Sequence, residues 1–332
     1  MSPPEPGTGA LDLLVIGDCN PDVMVVGGDV TPAFGQQEKL VDGISLEIGG
    51  SASITAVAAA RLGLRVALVA AVGDDPAGRF MLAQLAAEGV ETNHVAVRPD
   101  APTGMTVALS AGGDRAILTA TGAVATLTAR DVPPALLTRV RHVHVSSYFL
   151  MADSLGPGLA AVLGAARSAG ASTSVDTNWD PAQRWADERL SDALAQAGLL
   201  LPNEAEALHL SGAASLEQAV TALTTPGAML VVKLGERGAL CADGPRRYLA
   251  EPPPVTVADA TGAGDCFDAG VIAGLLDGLD LPAAVALGCA VGAASTRAPG
   301  GTAGCPDLPA ARALAKAVTV REVTPAPPTP HP

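Results

Sequence analysis

Along nearly the whole chain, short apolar runs alternate with Ala-rich stretches of helical length, and this rhythm narrows the possible folds most. Leu11–Ile16 is apolar but for Asp12 and stops at Gly17-Asp18, as a strand buried on both faces does. A helix is expected over 53–62, after Gly49-Gly50 and ending at Gly63. The same reading gives strands at 66–72, 142–146, 172–176, 199–201 and 229–234. It gives helices at 78–88, 155–169, 203–211, 265–276 and 281–295. Strand–helix alternation predicts an α/β fold, a mostly parallel sheet with helices on both faces and right-handed crossovers. Two stretches, about 23–48 and 103–119, are extended, Gly-punctuated and without helical period. The second contains Ala111-Gly112-Gly113-Asp114 between two strand-like runs, which is a hairpin signal. Together they predict a small β-sheet beside the main one, placed to act as a lid.

The 332 residues suit one large domain or two ordinary ones. With 34 acidic against 20 basic residues, the net charge is −14, which argues against a nucleic-acid partner. Aromatics are 2%, so aromatic platforms for bases are not expected. No apolar run is long enough to span a bilayer, and residues 1–10 lack the pattern of a secretory signal. The five cysteines, Cys19, Cys241, Cys266, Cys289 and Cys305, are odd in number and scattered. A reducing, cytoplasmic location is the expectation, with each cysteine a small buried apolar group. Residues 1–10 and 324–332 are rich in Pro, Gly and Thr and are expected to be mobile tails.

The segment Asp259-Ala260-Thr261-Gly262-Ala263-Gly264-Asp265 sits between an extended stretch and a helix. Backbone N–H groups at a helix start are unpaired, and the helix dipole adds roughly half a positive charge there. Gly262 and Gly264 allow a tight path and close approach of an anion, so the segment suits a phosphate. Asp265 has two readings: a helix-capping carboxylate, or a general base beside an anion hole. Other phosphate and catalytic motifs fail. Phe267 stands where a dinucleotide fingerprint needs its third glycine, and none of Lys39, Lys233 and Lys316 follows a glycine as a Walker loop requires. No H-E-x-x-H or G-x-S-x-G occurs. An NAD-dependent oxidoreductase is set aside on the missing fingerprint.

Gly262-Ala263-Gly264-Asp265, with Asp259 and Thr261, resembles the C-terminal signature of the ribokinase-like, or PfkB, family of carbohydrate and nucleoside kinases. The resemblance extends over roughly residues 11–304 and includes the order of elements and the inserted lid. It implies a three-layer sandwich with a central, mostly parallel sheet and a protruding β-sheet lid. The kinase domain would span 11–323. It also implies ATP-dependent phosphorylation of a hydroxymethyl group, with Mg²⁺ and often a monovalent cation such as K⁺. By that resemblance Asp265 is the base, and Gly262, Ala263 and Gly264 form the anion hole. Asp259 and Thr261 belong to the monovalent-cation loop, and residues 295–304 close the adenine pocket.

On the substrate side, the resemblance assigns Asn20 and Asp22 to sugar hydroxyls and Gly49, Gly50 and Ser51 to the di-glycine loop that touches substrate. Taken alone, Asn20-Pro21-Asp22 reads as a turn and Gly49-Gly50 as a helix-start turn. The family usually has Asn where this chain has Ile54, which removes one polar contact. On the nucleotide side, Asn203 and Glu206 match the family's N-x-x-E, which organises Mg²⁺ through water. Alone they read as a helix cap and its partner. Lys233, Gly235 and Gly238 match the strand-and-glycine segment by the nucleotide, Lys233 standing where many members carry Thr. Asn178 is expected near the phosphates. His142 and His144, on one strand face, are expected to be structural rather than metal ligands. The expected substrate is a sugar or sugar acid. A nucleoside, or a non-catalytic sugar- or nucleotide-binding role on the same fold, stand as alternatives. A homodimer through the lid is the expected assembly.

Overall fold

The computed structural model describes residues 10–111, 114–225 and 227–324. The two expected mobile tails fall almost wholly outside them. The strands, in chain order, are β1 Leu11–Ile16, β2 Asn20–Val26, β3 Gly43–Gly49, β4 Val66–Gly73, β5 Val95–Arg98, β6 Met105–Ala111 and β7 Asp114–Ala120. They continue as β8 Val140–Ser146, β9 Ser172–Asp176, β10 Leu199–Leu200, β11 Met229–Lys233, β12 Ala239–Asp243, β13 Arg246–Glu251 and β14 Thr319–Glu322. The helices are α1 Ser51–Arg61, α2 Pro76–Ala87, α3 Pro134–Leu137, α4 Gly156–Ser168 and α5 Glu188–Leu194. They continue as α6 Glu204–Ser211, α7 Leu216–Leu223, α8 Ala263–Leu276, α9 Leu281–Ser295 and α10 Leu308–Ala315.

The main sheet has ten strands in the order β14-β13-β12-β11-β10-β9-β8-β1-β4-β5. From β5 to β11 all pairings are parallel; β12, β13 and β14 then add antiparallel. Side chains alternate across the sheet, so β1 sends Leu14 and Ile16 into one core and Leu13 and Val15 into the other. The first core is completed by α4, α5, α6 and α7, through residues such as Leu159, Leu163, Leu190, Ala207 and Val220. The second is completed by α1, α2, α8, α9 and α10, through Val57, Met81, Ile272, Val291 and Ala311. This double burial explains why β4 is apolar without a break and β1 is apolar but for Asp12, whose carboxylate accepts from Arg65 and Arg141. The architecture is the expected three-layer sandwich.

The lid is a separate four-stranded sheet ordered β3-β2-β6-β7. β6 and β7 pair antiparallel from Met105–Ala120 to Ala111–Asp114, as the hairpin signal predicts, with Gly112 and Gly113 outside the described residues. The antiparallel edge of the main sheet was not anticipated. β13 and β14 carry Arg246, Arg247, Arg321 and Glu322 among few apolar residues, so neither shows the continuous apolar run of a buried strand. Some helix ends also move. α1 begins at Ser51, two residues before expectation, because Asp18 supplies the cap from a distance: its carboxylate accepts from Ser51 N (3.1 Å) and Ala52 N (2.9 Å).

Candidate active site

Two cavities open near the carboxyl ends of the parallel strands, as expected for an open α/β sheet. One, of about 450 Å³, lies between the main sheet and the lid. Asp18, Ser147 and Asn178 reach it from the ends of β1, β8 and β9, while Asn20, Asp22, Thr106, Ile117 and Thr119 reach it from the lid. The other, of about 570 Å³, is lined by Gly235, Gly238, the proline run Pro252–Pro254, Phe267 and Gly292. The segment 260–265 stands between them. Thr261, Gly262 and Asp265 face the first cavity; Ala260, Ala263 and Gly264 face the second.

Gly262 is the N-cap of α8 with φ of 69°, and no side chain caps this helix. A Cβ at Gly262 would lie 2.8 Å from Gly301 Cα and 3.0 Å from Ile54 Cγ2, so only glycine fits. The first N–H groups of α8 have no intrahelical acceptor and lie at the positive end of its dipole. The loop before it is fixed by Asp259. One of its oxygens accepts from Thr261 N (2.9 Å) and Oγ1 (2.7 Å), the other from Gly300 N (2.9 Å). Asp259 and Thr261 thus tie the loop to segment 296–304, and every donor they offer to a cation is oxygen, as a hard cation requires.

Asp265 is only 8% exposed. Burial, then the carboxylate of Asp176, push its pKa up to about 7; Asp18 adds to the rise, while Lys233 and the Ser51 hydroxyl oppose it. It does not cap α8. In the first cavity, Asn20 Nδ2 donates to Asp22 Oδ1 (3.2 Å) and Thr106 Oγ1 (3.2 Å). Asn20 opens β2, paired with Gly49, so Asn20-Pro21-Asp22 is strand rather than turn. Glycines are required opposite: a Cβ at Gly49 would overlap Asp22, and one at Gly50, with φ of 80°, would lie 2.9 Å from the Asp18 carbonyl oxygen. Asn178 stands on the acceptor side of segment 260–265. It lines the first cavity, donates to Ser51 Oγ (3.0 Å) and accepts from Ser147 N (2.7 Å), away from the second cavity.

Lys233 lines the second cavity, but its ammonium is not presented as a free charge. It donates to Asp176 Oδ2 (2.6 Å) and to both oxygens of Asp268 (3.0 and 3.2 Å). Burial works against the charge on Lys233, yet Asp176 and Asp268 outweigh it and raise its pKa. Two buried carboxylates sharing one ammonium divide: burial drives Asp268 well up, while the Lys233 charge overrides burial and holds Asp176 down. Sequence reasoning missed this triad. Its members are 57 and 35 residues apart and form no local motif.

Asn203 and Glu206 line neither cavity. They form a reciprocal cap on α6, with Asn203 N and Nδ2 donating to the Glu206 carboxylate at 2.8 and 2.7 Å. Burial and the negative field of Asp176 push Glu206 up to about 7. A carboxylate crowded by others is stabilised by a cation, so the site fits Mg²⁺ held through water. Among the described residues no group of three or more His, Cys, Asp or Glu could hold a metal as a cage. His142 and His144 are occupied by hydroxyls: Ser172, Ser174 and Ser146 meet their ring nitrogens at 2.6–2.8 Å. Burial pushes the two rings down to about 3 and 4, so both are neutral.

The family model of the pfkB carbohydrate kinases matches residues 10–308. A 2-dehydro-3-deoxygluconokinase of Bacillus subtilis is 33% identical over 285 residues, 80% of this chain and 86% of that protein. A fructokinase of Klebsiella pneumoniae is 33% identical over 239 residues, 68% of this chain and 76% of that protein. A crystal structure from E. coli, described as a ribokinase II in complex with ATP and Mg²⁺, superposes with a TM-score of 0.81. It is 25% identical and covers 92% of this chain and 99% of that one. The chain is a carbohydrate kinase of the pfkB family, an ATP-dependent phosphotransferase with an alcohol group as acceptor.

Proposed function

We propose that this kinase transfers the γ-phosphoryl group of ATP to a primary hydroxyl of a sugar or sugar acid held under the lid. Asp265 is the general base, and Gly262, Ala263 and Gly264 form the anion hole. The observation that carries this reading is the position of 260–265 between two cavities, with the acid on one side and amides on the other. The acceptor lies against Asn20, Asp22, Gly49, Gly50 and Ser51, where Asp22 accepts from its hydroxyls. The nucleotide lies in the second cavity along Gly235 and Gly238, with its base against the apolar wall of Pro252–Pro254, Val255 and Phe267.

Asp265, poised near neutrality, takes the acceptor proton as the oxygen attacks. The amides at the start of α8 receive charge on the transferred group without reorganising. Lid closure excludes water, which strengthens both effects. Glu206, backed by Asn203, would hold Mg²⁺ through water, and the ion when bound neutralises phosphate charge. Asp259 and Thr261 would serve K⁺ in the loop that fixes the anion hole. Lys233 belongs to the nucleotide side as the support beneath Gly264: a Cβ there would lie 3.6 Å from its Nζ.

The wall of Ile54, Ile117, Leu150 and Trp179 gives the acceptor cavity an apolar side, which favours a nucleoside as the second reading. The lid also exposes Val26, Ile44, Leu46 and Leu118, a surface suited to a second copy of the chain. A monomeric sedimentation profile at micromolar concentration would remove that dimer. No described helix is long and apolar enough to cross a membrane. A cytoplasmic location, as expected from the scattered cysteines, is part of the proposal.

The test is ADP release against sugars, sugar acids and nucleosides, for the wild type and Asp265→Asn. One class should stimulate turnover, and the variant should lose ~10²–10⁴-fold at nearly unchanged Tm. Wild-type turnover by the variant would remove Asp265 from the chemistry.

A further inference from the structure

We propose that Cys266 and Cys305 are a modification site, forming a reversible disulfide within one chain that clamps the segment over the loop–helix junction onto α8. Their sulfurs stand 2.7 Å apart, although the residues are 39 positions apart in sequence. Closing to a bond of ~2.05 Å requires them to approach by only about 0.7 Å. Cys266 lies in the first turn of α8, directly after Asp265, and is fully buried. Cys305 comes from the segment after α9 and is partly accessible. The pair therefore joins an interior sulfur to one that a small oxidant reaches.

Non-covalent contacts already dock that segment in the geometry the bond needs. Gly301 O accepts from Cys266 Sγ (3.3 Å), and Gly300 N donates to Asp259 (2.9 Å). Arg61, paired with Glu88, donates to the Thr302 carbonyl. After Glu88, the two sulfurs contribute to raising the Arg61 pKa, so this cation sits in the field of both. Chain geometry therefore places a reachable sulfur, an interior resolving sulfur and a cation together. The remaining cysteines offer no such contact: Cys289 donates to Ala250 O at 3.7 Å, and Cys19 and Cys241 are buried elsewhere.

The chemistry balances with a low-molecular-weight disulfide as oxidant. The Cys305 thiolate attacks one sulfur, forms a mixed disulfide and releases one small thiol. Cys266 then gives up its proton and attacks Cys305 Sγ, releasing the second small thiol. Two protein thiols are oxidised and one small disulfide is reduced to two thiols. In the reduced pair the hydrogen bond to Cys305, together with burial, holds the Cys266 thiol well above its ordinary pKa, so Cys266 is the sulfur that attacks second. Such bonds in a reducing compartment are transient and redox-responsive. The bond would restrain Gly300–Cys305, and with it the contact to Asp259, whatever the role of Asp265.

The test uses the full chain, oxidised glutathione as oxidant and dithiothreitol as reductant. Oxidation should lower the free thiols from five to three, two being lost in one bond. Peptide mapping should place that bond between Cys266 and Cys305 within one chain. Tm should rise by roughly 5 °C, and amide exchange at Gly300–Gly304 should slow; reductant should reverse both. Cys305→Ser should keep its remaining four thiols and its Tm under oxidant, and because Cys305 is partly accessible this variant tests the bond without disturbing the core. Five thiols remaining, a bond mapped to Cys241 and Cys289 or between chains, or thiol loss unchanged in Cys305→Ser would each overturn the proposal.

Discussion

Removing the ammonium from Lys233 isolates what the buried triad contributes. In Lys233→Met the stem volume is kept and the charge goes. Asp176 and Asp268 then face each other with side chains 1% and 0% exposed and no cation between them. Breaking a buried pair by removing one partner costs about 3–5 kcal/mol, because the surviving charge stays desolvated. The same rule applied to two carboxylates would give more, but Asp268 already favours its neutral form, so only Asp176 is stranded. About 3–5 kcal/mol is therefore the working figure. For a chain of 332 residues it corresponds to a fall in Tm of roughly 4–7 °C.

The pH dependence gives a sharper reading. In the wild type, Asp176 is held below its ordinary value, so its contribution is present above the unfolded pKa and is lost as pH falls through the folded one. Lys233 is raised, so its contribution is complete below its unfolded pKa and is lost only as pH rises through the folded one. Between about pH 5 and 9 both of these contributions are in place, so the wild-type slope comes from Asp268 alone, whose raised pKa makes stability fall as pH rises toward it. Without Lys233 the sign for Asp176 reverses: burial now raises it, the folded state binds the proton more tightly, and stability falls as pH rises. Urea unfolding of wild type and Lys233→Met at pH 5.5 and 8 separates these slopes. Adding Asp268→Leu to the variant should recover part of the loss by removing one carboxyl. A fall in Tm below 3 °C with unchanged pH slope would refute the triad as a structural charge unit.

Three further outcomes follow from the site. If Asp265 is the base, kcat/KM should rise with pH through about 7, because turnover needs the ionised carboxylate; a profile flat from pH 5.5 to 8.5 would contradict that. Gly262→Ala should destabilise by about 1–3 kcal/mol and depress kcat at least tenfold, since the new methyl meets Gly301 and Ile54 at a φ of 69°; unfolding and steady-state kinetics would show it. Asp18→Ala should lower stability by about 1–2 kcal/mol, read by urea unfolding, because Ser51 N and Ala52 N lose their acceptor at the start of α1.

How much of this was legible in the chain depends on the range over which each cause acts. β1 and β4 could be read because burial on both faces leaves runs that are apolar but for Asp12, and α9 because its fifteen-residue, almost wholly apolar stretch starts at the Asp280 cap. The loop–helix junction could be read because its glycines answer a local backbone demand. β13 and β14 could not, since they sit at the sheet edge where exposure removes the apolar signature. The same limit governs the site. Asp18 looked like the end of a strand, and only the fold reveals that it caps a helix 33 residues later. Lys233 looked like a cation available to phosphate, because a sequence shows a charge but not its partners. Asp176 and Asp268 hold its ammonium in a buried ion triad, although the residue also lines the second cavity. A lysine at this place on the strand therefore has a different physical task from a hydroxyl: it ties α8 to β9 through Asp268 and Asp176. The difference is measurable, because Lys233→Thr should fall in stability as Lys233→Met does, whereas a phosphate-binding lysine would give up nucleotide affinity at unchanged Tm.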